Sequence, residues 1–172
     1  MFSYCSSLRR FKSDLSSLED GDYMFFGCKE LNKFDTALPK LKSGDGMFMD
    51  SGLGKGLGAL EVAFKCEELP LLESGDYMFS GCKELIYFNT NFPKLKNGRM
   101  MFNNCSALYK FQGDMGSLED GENMFVGCND LDRFVGDLSK LKNGRYMFEN
   151  CGISYFDFVS DLSSLDWGYH MF

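Results

Sequence analysis

A Met-Phe pair returns along the whole chain, and its spacing constrains the fold more than any other feature. It stands at Met1-Phe2, Met24-Phe25, Met47-Phe48, Met78-Phe79, Met101-Phe102, Met124-Phe125, Met147-Phe148 and Met171-Phe172, in steps of 23, 23, 31, 23, 23, 23 and 24 residues. A period of this size predicts a repeat solenoid, because so short a unit buries its apolar side only against its neighbours. Registered on the pair, the coils read M-F-x-x-C-x-x-L-x-x-F-x-x-x-L-x-x-L-x-x-G-x-x. Cysteine fills its column as Cys5, Cys28, Cys82, Cys105, Cys128 and Cys151. The aromatic column after it reads Phe11, Phe34, Phe64, Phe88, Phe111, Phe134 and, after a one-residue slip, Phe158. Glycine closes the coils at Gly21, Gly44, Gly75, Gly98, Gly121, Gly144 and Gly168, where it predicts a turn with φ > 0. The expectation is a single solenoid domain over residues 1–172, with about seven coils and an insertion loop at about 50–61.

A second pattern bears on stacking. Two residues before each closing glycine the charge alternates: Glu19, Lys42, Glu73, Lys96, Glu119, Lys142, Asp166. Equivalent residues of adjacent parallel coils lie roughly 4.8 Å apart. Opposite charges at that spacing attract, and a slip by one coil would set like on like. Duplication of a two-coil unit would leave the same alternation, and both accounts require stacked parallel coils.

Segments such as Gly21-Asp22-Tyr23-Met24-Phe25-Phe26-Gly27-Cys28-Lys29-Glu30-Leu31 resemble the BspA-like leucine-rich repeat family, and the pattern returns from Gly75 onward. The resemblance implies a mainly β, leucine-rich-repeat-like solenoid of short parallel strands. Each coil would place a strand around Leu-x-x-Phe, as at 85–88, and a turn or short helical piece at Met-Phe-x-x-Cys. A second extended piece would lie near Lys-Leu-Lys. It also implies adhesion or protein binding on or outside microbial cells. Phe stands where the family usually has Ile, and Met where it has Ala, which enlarges the core side chains.

The third coil, of 31 residues, has Ser51 in the cysteine column and Gly52-Leu53-Gly54-Lys55-Gly56 after it. That run lacks the G-x-x-x-x-G-K-[ST] spacing of a phosphate loop, since glycine follows the lysine. It reads as a loop with a short helix at 59–66, with partner contact as the other reading. The first and last coils carry core-type Met-Phe pairs. This predicts either a longer array or end-to-end self-assembly through Met1, Phe2, Met171 and Phe172.

The rest is largely exclusion. A formal charge of −7 argues against nucleic acid as a partner and against docking on an anionic membrane. No apolar run reaches the ~20 residues of a membrane span, and the N-terminus lacks the regions of a signal peptide. His170 is the one histidine, so no His-based triad forms within the chain. The cysteines read as small core residues, with disulfides and metal as open alternatives and Cys66, outside the column, as the likelier reactive thiol. Asp14, Asp114, Asp137 and Asp161 share a column, read either as turn caps or as a calcium ladder. No cofactor is expected.

The expected function is a non-catalytic protein-interaction solenoid, a surface or adhesion-type module binding an unidentified protein, with a self-assembling structural subunit as the alternative. The columns beside the strand, with candidates Arg9, Arg10, Lys33, Tyr87, Tyr109 and Arg133, mix aromatic and charged residues as interface hot spots do.

Overall fold

The computed structural model describes residues 1–58, 61–158 and 162–172. The chain winds as a right-through stack of coils in which every sheet contact is parallel. Strands β1 (Arg10–Phe11) and β2 (Lys33–Phe34) form one pair, and β3 (Tyr87–Asn89), β4 (Lys110–Gly113), β5 (Arg133–Gly136) and β6 (Tyr155–Phe158) form a four-stranded sheet in that order. Each strand is short because only the residues around the Phe column are extended before the chain turns again. A second line of contact runs through single bridges, Asp20 to Ser43, Ser43 to Ser74, then Asn97, Asp120, Asn143 and Trp167, just after the Lys-Leu-Lys positions.

Three expectations are corrected. In the last coil it is Phe156, not Phe158, that registers with Phe134, so one residue is lost between Cys151 and the strand rather than one gained after it. No helix forms in the described part of 59–66. Instead Phe64 bridges Phe34 in parallel, with Phe34 N–H donating to Ala63 O at 2.8 Å and Lys65 N–H to Phe34 O at 2.9 Å. The reward for burying Phe64 in the aromatic column outweighs the local helical tendency.

The third correction concerns glycine. Gly75 and its column do not adopt positive φ; most of the left-handed residues lie in two other columns, with Gly54, Gly56 and Leu162 outside them. One precedes each Met-Phe pair (Tyr23, Gly46, Tyr77, Met100, Asn123, Tyr146, His170). The other follows it by two (Tyr4, Gly27, Asp50, Gly81, Asn104, Gly127, Asn150). The closing glycines are there for room. A Cβ on Gly75 would sit 3.1 Å from Met101 Cε of the next coil, and one on Gly21 would sit 3.0 Å from Met47 Sδ.

The turn that carries Met-Phe-x-x-Cys satisfies its backbone in two directions. In one coil Gly75, Tyr77, Phe79 and Gly81 donate to Asn97, Arg99, Met101 and Asn103 of the next, all at 2.8–2.9 Å. The residues between them close local turns: Met78 to Gly75, Ser80 to Tyr77, Cys82 to Phe79. Alternate N–H groups thus point along the stack and back into the coil, which leaves no helix and no buried donor unpaired in this run.

Two aromatic files fill the interior. Phe25, Phe48, Phe79, Phe102, Phe125 and Phe148 stack at 5.2–5.4 Å between centroids, their planes within 9°. Phe34, Phe64, Phe88, Phe111 and Phe134 form the second file at 5.4–5.8 Å. Between files the rings meet edge to face, as Phe88 meets Phe102 at 4.7 Å and 70°. Both arrangements suit the ring quadrupole. The leucine columns and the methionines complete one continuous core.

Candidate functional site

All seven cysteines are free thiols. The column thiols face the backbone of the coil before: Cys28 Sγ–H donates to Phe2 O at 2.9 Å, Cys105 to Phe79 O at 3.1 Å, and Cys128 to Phe102 O at 3.1 Å. Burial pushes the Cys82 thiol up to about 12, and holds Cys105 and Cys128 well above the usual thiol range, helped in Cys105 by the neighbouring thiols. Cys66 is corrected from its reading as the reactive thiol. It is buried, its pKa is raised first by desolvation, and its Sγ–H reaches Glu68 O at 3.4 Å. The buried thiols Cys28, Cys66, Cys82, Cys105 and Cys128 pack, and none of them has the exposed setting of a nucleophile.

The aspartate column resolves as turn caps where it is described. Asp14 accepts from Ser16 N–H at 2.8 Å, Asp114 from Gly116 N–H at 2.9 Å, and Asp137 from Ser139 N–H at 2.8 Å. Asp161 lies outside the described residues. Three amides of the third coil's glycine run are already used, since Gly52 donates to Cys28 O, Gly54 to Asn32 O and Lys55 to Gly52 O, while the Lys55 side chain pairs with Glu30. A Cβ on Gly52 or Gly54 would lie 2.2 Å from Lys29 O or 2.0 Å from Glu84 O. The run therefore wedges between coils at Gly52 and Gly54, with the N–H groups of Gly52, Gly54 and Lys55 turned to carbonyls of the protein. His170 lies parallel to Tyr146 at 5.7 Å.

The charge column pairs as doublets. Lys42 Nζ reaches Glu19 Oε2 at 2.8 Å, Lys96 reaches Glu73 at 3.1 Å, and Lys142 reaches Glu119 at 2.7 Å. The hydrogen-bonded lysine lowers the pKa of Glu19 and of Glu119. These pairs are solvent-exposed, so each adds little to stability.

The outward face of the strands is where exposed side chains of mixed chemistry gather. Register places Arg10 beside Lys33, and Tyr87, Lys110, Arg133 and Tyr155 in one row across β3 to β6. Their alternation with the buried Phe column follows from the two-residue period of a strand. Tyr87 and Tyr109 are 44% and 40% exposed and meet edge to face at 6.3 Å. Arg133 lies 5.9 Å over the Tyr155 ring and holds Asp132 at 3.6 Å. The Asp132 carboxyl is lowered first by its bond from Ser154, and Tyr109 also lowers it. Tyr87, Tyr109 and Arg133 thus share one patch, joined by Tyr155, Lys110 and Asp132. Sequence reasoning left out Tyr155 because the last coil was read two residues out of register.

Arg9, Arg10 and Lys33 stand on the same face at the other sheet, where Asp35 lies 3.9 Å from Lys12 and 4.0 Å from Lys65. The terminal residues divide. Met1 and Phe172 are exposed, Phe2 stacks on Phe25 at 5.4 Å, and Met171 is buried against the Gly144 position. No described helix is long and apolar enough to cross a membrane.

Residues 1–54 and 68–172 match a family model described as a BspA type leucine rich repeat region, in 6 copies. The unmatched residues 55–67 lie within the long third coil. No curated protein and no solved structure matches the chain.

Proposed function

The chain belongs to the BspA-type leucine-rich repeat family, and on that premise we propose that it is a surface or adhesion-type module that binds another protein through the outward strand face. Repeats of this family are typically protein-interaction modules rather than catalysts, and the family is associated with bacterial surface proteins. The observation that carries the reading is the patch of Tyr87, Tyr109, Arg133 and Tyr155: exposed aromatics and a guanidinium on rigid strands, held by the buried Phe column beneath. Rigid aromatic and arginine anchors lose little conformational entropy on binding and dominate interface energetics. Arg9, Arg10 and Lys33 extend the same face.

The test is a saturable binding assay of the labelled protein against purified extracellular proteins and intact cells, repeated with a Tyr87→Ala/Tyr109→Ala variant. Both tyrosines are partly exposed, so the variant keeps the fold, which circular dichroism checks. Affinity falls by about tenfold or more if these are the anchors. Saturable binding that the double variant leaves unchanged excludes this surface.

A further inference from the structure

We infer that the partner of the strand face is an acidic polypeptide, its carboxylates taken by the lysines and arginines and its apolar side chains by the tyrosines. This rests on the reading of that face as the interaction surface, and the observation behind it is a segregation of charge. Consider the residues two and one places before, and one place after, the Phe of each rung from Phe11 to Phe156. Seven are Lys or Arg and three are Asp, a net of +4 in a chain of −7, which leaves −11 on everything else. Random placement would make this face acidic like the rest. Among the described residues, Arg10, Lys33 and Lys110 form no ion pair within 4 Å. Their charge is therefore not cancelled at home, and it is available to steer and orient an anionic partner.

The shape of the charge favours a polypeptide over a longer polyanion. The cations are interleaved with tyrosines and with Asp35 and Asp132, so the face offers separate charged and apolar positions rather than a continuous basic track. A nucleic acid or sulfated glycan carries charge at every unit, and where it ran past the patch it would meet the acidic remainder within about one Debye length, ~8–10 Å. An acidic segment with aromatic or aliphatic residues between its carboxylates meets both chemistries at once, and the surrounding acidity repels basic partners.

The probe is a fluorescein-labelled Glu-Tyr copolymer, read by anisotropy at low and at physiological salt, with a Lys-Tyr copolymer, a heparin oligosaccharide and oligo-dT alongside. The Glu-Tyr copolymer binds, weakens with salt, and loses about tenfold or more in affinity on Lys110→Glu/Arg133→Glu. Reversal of two exposed lysines off this face, Lys94→Glu/Lys140→Glu, changes its affinity less than about twofold. The inference is overturned if the copolymer does not bind, if both double reversals weaken it equally, or if heparin or oligo-dT binds more tightly. Its failure is separable from that of the function proposed above. A protein ligand that still depends on Tyr87 and Tyr109, but with which the copolymer neither binds nor competes, removes the acidic partner and leaves the interaction surface.

Discussion

The closing glycines offer a test of whether they are needed for room or for backbone conformation. Gly75→Ala places its Cβ 3.1 Å from Met101 Cε, with Leu72 Cδ2 and Leu95 Cδ1 at 3.6 Å, an ordinary contact. Overpacking a core costs about 1–3 kcal/mol, and the obstacle here is the end of a flexible thioether, which favours the lower half of that range. Against it, alanine at an ordinary φ gains about 0.4–1 kcal/mol by restricting the unfolded chain. The net cost of Gly75→Ala is then about 0.5–1.5 kcal/mol. Met101→Leu removes the Cε and costs less than about 1.5 kcal/mol by itself. In the double variant the crowding is gone but the entropic gain stays, so it is more stable than the sum of the singles by roughly 1 kcal/mol. Urea denaturation of the four proteins measures this directly. Singles that add within ~0.3 kcal/mol refute the argument from room, as does a Gly75→Ala cost above ~3 kcal/mol, which would point to a conformational demand instead.

Phe102 is fully buried and touches Phe79, Phe88, Phe111 and Phe125, so Phe102→Ala costs about 3–5 kcal/mol in denaturant unfolding; a loss under ~2 kcal/mol would show that the aromatic files repack. The Asp76 carboxyl is raised first by burial and then by Asp45 and Asp120, against the bond from Arg99 N–H. A carboxyl raised in the folded state lowers stability as pH climbs through its folded pKa. Asp76→Asn therefore stabilises near neutral pH, and the gain disappears below the ordinary value of 3.8, as paired denaturation curves will read. Maleimide leaves Cys82, Cys105 and Cys128 unmodified in the native protein and reacts with them only on unfolding; modification at the rate of a free thiol would contradict their burial.

The period was legible because stacking demands it. Each Phe of the two files stacks on its own equivalents in the neighbouring coils, and the aromatic columns of the sequence are the files of the structure. Coil boundaries and the alternation of the charge column followed from that single registration, and the strand around Leu-x-x-Phe from the family resemblance; that the charges would pair as doublets did not. The left-handed columns did not. Tyr77, Met100 and His170 are residues that carry no turn signal, and their φ is set by the amides on either side, which must reach two coils at once. Glycine misled for the same reason: its absence of a Cβ serves a methionine of the next coil, a relation no single repeat displays. The reading of 59–66 as helical failed because Phe64 had a place waiting in the second file. Of the candidate patch, Tyr87, Tyr109 and Arg133 were named from the composition of the columns beside the strand, and the structure places them near one another on its outward side. Tyr155 was lost to a shift of two residues, since a strand in the wrong register presents the wrong side chains.

The doublets of the charge column and the unbroken ring files have a mechanical meaning. Pulled from its ends, the chain meets similar resistance at successive rungs, because the turn and the stacked rings recur, with an ion-pair doublet added at every second interface. It should then peel away one coil at a time, releasing at most about 80 Å of extended chain for a unit of 23 residues and about 105 Å for the unit of 31.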